Sequence, residues 1–142
     1  MRPKSIVNFE RLVLLYLAIG LVYAYLVWDQ TMASLQGQGA ALGSGTIMTI
    51  QAVTVALYLL LVWFISRKGS PVAKWIYVVI SGLSLVLGLV GIQETISLGT
   101  LPLILAVAQY ALILVTIWLL FRPDSKAWFN DGRGGVDSDT FR

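Results

Sequence analysis

Four apolar runs without a single Asp, Glu, Lys or Arg alternate with short polar breaks along the chain. They cover residues 12–28, 46–66, 75–92 and 98–121. Each approaches the ~20 residues an α-helix needs to cross about 30 Å of hydrocarbon. The first and third are at the short end and draw on their flanks. Aliphatic side chains surround each run with no polar stripe at a 3.6-residue period, which argues against soluble amphipathic helices. Barrel strands would alternate and be about half as long. The pattern predicts an all-α four-helix transmembrane bundle, with spans at about 12–28, 46–66, 75–92 and 99–121.

The breaks, 29–45, 67–74 and 93–97, are short, so sequential spans should be antiparallel neighbours. Residues 1–129 read as one bundle, of which 122–129 form an interfacial segment after Pro123 ends the last span or turns it sharply. Asp124 or Ser125 is placed to cap that segment, with Trp128 and Phe129 toward lipid and Lys126 toward phosphates. Residues 130–142 are Gly- and Asp-rich and are expected to form a disordered tail.

The first break contains the run GQGAALGSG, with Gly37, Gly39, Gly43 and Gly45. A dinucleotide fingerprint needs a preceding strand, and a phosphate loop needs a lysine before its Ser or Thr. Neither condition is met. The run reads as an external connection, with Ser44 or Thr46 capping the second span; a dip of residues 40–42 into the outer leaflet is the alternative.

Composition sharpens the picture. Of 142 residues 58% are hydrophobic and only 12% charged, about half the charge a soluble domain carries. Cysteine and histidine are absent. That removes disulfides, thiolate chemistry, the commonest general base and the commonest metal ligand. The basic residues fall on one side: Arg2, Lys4 and Arg11, then Arg67, Lys68 and Lys74, then Arg122, Lys126, Arg133 and Arg142. The positive-inside rule assigns that side to the cytoplasm, with both termini on it. Trp63, Trp75, Trp118 and Trp128 mark the same face, and Trp28 the other. A cleaved signal peptide is the competing reading of the first span, but its apolar run is long and no small-x-small cleavage site follows at once.

Candidate chemistry is sparse. Asp29 and Glu94 end the two outward-running spans beside amides, and Gln51 and Gln109 fall in the same half. Together they are a candidate polar mouth for a cation or proton; the simpler reading is that they mark the exit into water and hydrogen-bond neighbouring helices. No acid lies at the bilayer midplane. Small multidrug transporters also have four spans, but the acid they keep inside the first has no counterpart here. Glu10, next to Arg11, reads as a local ion pair or interface position. Asp131, Asp137 and Asp139 lack calcium-loop spacing. No catalytic, cofactor or metal site is expected.

Small residues recur at helix-packing spacing: Gly20 with Ala24, Ala52 with Ala56, and Ser84 with Gly88, supplemented by Gly82 and Gly91. The third span has more of them than one neighbour needs, which points to a homo-oligomer or a membrane partner. The basic rim is an anionic-headgroup anchor or a docking site; nucleic acid is not expected.

The head, Arg2-Pro3-Lys4-Ser5-Ile6-Val7 and Phe9-Glu10-Arg11-Leu12, and the tail, Phe121-Arg122-Pro123-Asp124-Ser125-Lys126-Ala127-Trp128-Phe129, resemble small uncharacterised four-span inner-membrane proteins of bacteria. The resemblance covers the flanks and the span layout. It implies a bacterial inner membrane and carries over no activity and no functional residue. The resulting expectation is a non-enzymatic accessory subunit or scaffold. The alternative is an oligomeric small transporter or channel using the mouth residues.

Overall fold

A computed structural model describes residues 2–37, 39 and 43–131. The described chain forms α1 (Lys4–Leu26), α2 (Trp28–Gly37), α3 (Ser44–Lys68), α4 (Pro71–Val90), α5 (Ile92–Ser97), α6 (Thr100–Leu120) and α7 (Pro123–Asp131). Helices α1, α3, α4 and α6 are long and apolar enough to cross a membrane and correspond to the four predicted spans.

Local chemistry moves several predicted boundaries. α4 starts at Pro71, not at 75, because Ser70 is its N-cap: the serine hydroxyl accepts from the Ala73 N–H at 3.3 Å. Pro71 then occupies the first helical turn, where its missing N–H costs nothing. α3 ends at Gly69, whose left-handed φ of 57° lets the Ser70 N–H reach back to the Phe64 carbonyl. Arg67 and Lys68 in the last turn of α3 oppose its negative dipole end. The start of α3 corrects the expected cap: Gly43 is the N-cap, and neither Ser44 nor Thr46 serves.

Two segments read as connections are helical. After a one-residue break at Val27, α2 resumes with the Thr31 N–H donating to the Val27 carbonyl at 2.9 Å. After a break at Gly91, α5 does the same. Near lipid a backbone cannot leave its polar groups unpaired, so helix resumes where the pattern of polar residues suggested loop. The proposed dip of residues 40–42 and the tail beyond Asp131 lie outside the described residues; Asn130 and Asp131, assigned to the disordered tail, belong to α7.

The four long helices close a ring. α1 packs on α6 most extensively, α3 on α4, α1 on α3, and α4 on α6. The sequential neighbours are as predicted; the α1–α6 contact that closes the ring links the first span to the last. Gly20 and Gly88 make two of these crossings close. A Cβ at Gly20 would meet the Gln109 amide nitrogen at 2.8 Å, and one at Gly88 would meet the Tyr110 ring.

The packed core occupies the basic half of the bundle. Phe9, Tyr77 and Tyr58 meet edge to face, at centroid distances of 5.1 Å and 5.8 Å, with Ile6, Val13, Ile65 and Leu120 fully buried around them. Such aromatic pairs add about 0.5–1.5 kcal/mol each beyond buried area. The core's hydroxyls are paired: Tyr77 with Thr116 at 2.8 Å, Tyr58 with Ser81 at 3.4 Å. The outward faces carry exposed Leu and Val on every long helix, with Ile on α3, α4 and α6, the surface a lipid solvent requires.

Candidate functional site

The basic end is closed by a polar network. The Arg2 guanidinium donates to Glu10 at 2.7 Å and to the Ser66 hydroxyl at 2.8 Å, and Ser66 donates to the same Glu10 oxygen at 2.7 Å. Glu10 therefore pairs with Arg2, not with the adjacent Arg11. Arg2 lies just before α1, eight residues from Glu10, and both side chains meet Ser66 of α3, whereas adjacent helical residues such as 10 and 11 point in different directions.

α7 docks on this end. Ser5 donates to Asp124 at 2.6 Å, Ser125 donates to the Leu119 carbonyl at 2.6 Å, and the two serine oxygens lie 2.8 Å apart. The Ser5 hydroxyl, assisted by the Arg122 guanidinium nearby, holds the Asp124 carboxyl below its ordinary value of 3.8. The Trp128 indole N–H donates to the Ile65 carbonyl at 3.1 Å, and Phe129 is buried in the core. These contacts correct two expectations. Asp124 and Ser125 tie α7 to α1 and α6 instead of capping it, and Trp128 and Phe129 face protein instead of lipid. The indole N–H needs an acceptor, and the carbonyl at the end of α3 supplies one.

Aromatic rings hold the neighbouring cations. Lys74 lies 4.9 Å from the ring centroids of both Phe121 and Phe129 and 5.5 Å from that of Trp75. Lys68 stands over Trp63, and Arg122 over Trp118. Lys4, Arg11 and Lys126 complete the rim by their places in α1 and α7.

The opposite half is looser. A cavity of about 390 Å³ lies between α1 and α3, with Gln109 of α6 reaching into its wall and Trp28 and Thr31 of α2 at its end. A wider groove of about 1010 Å³ follows the other side of the same helix pair, past Tyr25, Asp29, Met48 and Leu59. Leu21, Ala24, Trp28, Gln51 and Val55 line both.

The four mouth residues are therefore divided. Gln51 and Gln109 share the inner cavity, and Asp29 and Gln51 share the outer groove. Glu94 is exposed on α5 and lines neither. Both acids sit in the first turn of a short helix, where a carboxylate opposes the exposed N–H groups and the positive dipole end.

The small residues divide as well. Gly20 and Gly88 are filled by α6 side chains. Ala24, Ala52 and Ala56 line the groove, Gly91 touches only carbonyls of its own helix, Ser84 is half-buried, and Gly82 has nothing within 4 Å of a built Cβ.

The sequence did not reveal that Tyr16, Tyr23 and Tyr58 line the inner cavity, nor the docking of α7 on Ser5. Tyr16 and Tyr23, seven apart, share a helix face and were a legible signal. Ser5 and Ser125 are separated by most of the chain, and no spacing rule links them.

The chain is a small all-α membrane-spanning protein with an open seam between its first two spans. No protein-family model matches it, and no curated protein or solved structure does.

Proposed function

We propose that this protein is a non-enzymatic accessory subunit or scaffold of a bacterial inner membrane, with both termini cytoplasmic, that packs against a membrane partner or a second copy through α4. The observation that carries the reading is Gly82. Two other glycines at helix-packing positions, Gly20 and Gly88, are filled from α6, whereas Gly82 faces open space beside exposed Val79, Leu83 and Val86. A small residue in such a face lets a second backbone approach closely where the hydrophobic effect gives no help. The one-sided distribution of Lys and Arg supports the orientation, and the resemblance of the head and tail supports the compartment. The cation–aromatic pairs of the basic rim suit anionic headgroups.

The test is the mass of the complex in native nanodiscs, for the natural chain and for Gly82→Leu. A Cβ at Gly82 meets no described residue within 4 Å, and circular dichroism of the variant checks that the monomer fold is kept. A defined assembly that Gly82→Leu dissolves supports the proposal. A natural chain that is only monomeric, with no protein retained after gentle crosslinking, overturns it.

One observation favours a second reading, an oligomeric small transporter or channel: Gln51 lines both the inner cavity and the lipid-side groove that Asp29 borders. Proteoliposome flux that falls in the Asp29→Asn, Glu94→Gln double variant would favour it. Flux unchanged by both substitutions removes those residues from the pathway.

A further inference from the structure

We propose that the cavity between α1, α3 and α6 binds the head of a neutral amphiphile that enters sideways from the bilayer, with its apolar tail lying in the outer groove.

Among the described residues, no charged side chain lines the inner cavity. Its polar lining side chains among the described residues are Gln51, Gln109, Trp28 and several threonines and tyrosines. Gln51 has no hydrogen-bond partner among the described residues, and Gln109 has only a long 3.5 Å contact to the Tyr16 carbonyl. Gln51 is half-buried about two turns into α3, a helix long and apolar enough to span a membrane, and an amide left without a partner in such a helix is costly. Two underused amides facing one cavity therefore call for an occupant that both donates and accepts. An alcohol or carbonyl head does so. A phosphate head would bring an anion against no cation, and an ammonium head would meet no carboxylate, because Asp29 borders the outer groove only.

The path follows from the shared wall. Leu21, Ala24 and Val55 line both volumes, so a chain passing between α1 and α3 at Ala24 connects them. About 390 Å³ is within the range of small-ligand pockets. The outer groove is flanked by Tyr25, Met48 and Leu59, side chains that suit an alkyl tail.

The site shares no described lining residue with α4, and the experiment uses the isolated full chain in phosphatidylcholine nanodiscs, so its outcome is distinguishable from that of the proposed α4 contact. The probe is a monoacylglycerol bearing a photoactivatable diazirine in its tail. Crosslinked positions are mapped by mass spectrometry. Expected are adducts concentrated at the α1–α3 seam, near Leu21, Ala24, Val55 and Leu59. Unlabelled monoacylglycerol should compete, and lysophosphatidylglycerol of the same tail length should not. The Gln51→Leu, Gln109→Leu double variant should lower seam labelling about tenfold, the size expected from losing one or two hydrogen bonds, while scattered labelling of α4 and α6 stays unchanged. A second variant, Ala24→Phe, should block the passage and abolish seam labelling without touching the amides. Labelling spread evenly over the lipid-facing leucines overturns the proposal and leaves a cavity filled by water or ordinary acyl chains. Equal competition by the anionic lipid overturns it as well.

Discussion

Gly88 stands against the hydroxyl end of the Tyr110 ring. A Cβ on that glycine would lie 2.5 Å from the Tyr110 hydroxyl oxygen and 2.7 Å from its Cε1, so the third and fourth spans are as close as they are because one residue has no side chain. Gly82, six residues earlier on the same helix, has open space at the equivalent point.

The two glycines should respond oppositely to the same substitution. Gly88→Ala drives a methyl against the hydroxyl end of the Tyr110 ring, with Cε1 and Cζ also under 3 Å, so the ring must shift; the change should destabilise the bundle by about 1–3 kcal/mol, the usual cost of overpacking. Gly82→Ala adds a methyl in open space and gains helix propensity, so the isolated monomer should be stabilised by up to about 1 kcal/mol. Unfolding in mixed detergent, followed by circular dichroism, checks both. Equal effects of the two changes would contradict the α4–α6 packing.

Gly69 should control the docking of α7. Its φ of 57° favours glycine, and a Cβ there would meet the Trp128 carbonyl oxygen at 3.0 Å and the indole nitrogen at 3.3 Å. Left-handed backbone alone costs an ordinary residue about 1–2 kcal/mol. In Gly69→Ala the Trp128–Ile65 hydrogen bond should therefore lengthen or break, and trypsin should cut at Lys126 faster than in the natural chain. Unchanged cleavage would show that α7 is held without this corner.

Asp124 makes the same docking pH-dependent. Its carboxyl is held below the ordinary 3.8 by the Ser5 hydroxyl, so the folded pKa is depressed. The sign then follows: the contact stabilises docking fully above that ordinary value and is lost as pH falls through the lower, folded value. A spin label at Ala127→Cys, placed on an exposed position in a chain without other cysteines, should be immobile near neutral pH and gain mobility only on strong acidification. Asp124→Asn should remove that pH response. A label that loosens already between pH 5 and 6 would place the switch on another group.

The span count, the antiparallel order of sequential helices and the one-sided distribution of cations were legible because each follows from a local property: the apolar length of a run, the shortness of a break, the charge beside it. The turns were less so. Residues 29–37 and 92–97 carry loop-like polar residues, yet the backbone's need for internal hydrogen bonds near lipid keeps them helical. Ser70-Pro71 looked like a break and is a helix start, since a serine cap and a first-turn proline have the same composition as a turn.

The sequence by itself determined that this chain folds as membrane helices, because hydrophobic length depends only on consecutive residues. Tertiary structure decided which polar residues meet. Glu10 chose Arg2 and Ser66 over its neighbour Arg11, Ser5 found Asp124 and Ser125 at the far end of the chain, and Gln51 and Gln109 came to one cavity while Glu94 stayed apart. Those pairings depend on how the helices are rotated and how deeply they interlock. That is set by the closest approaches, at Gly20 against Gln109 and Gly88 against Tyr110, and these are interactions between side chains that no local pattern encodes.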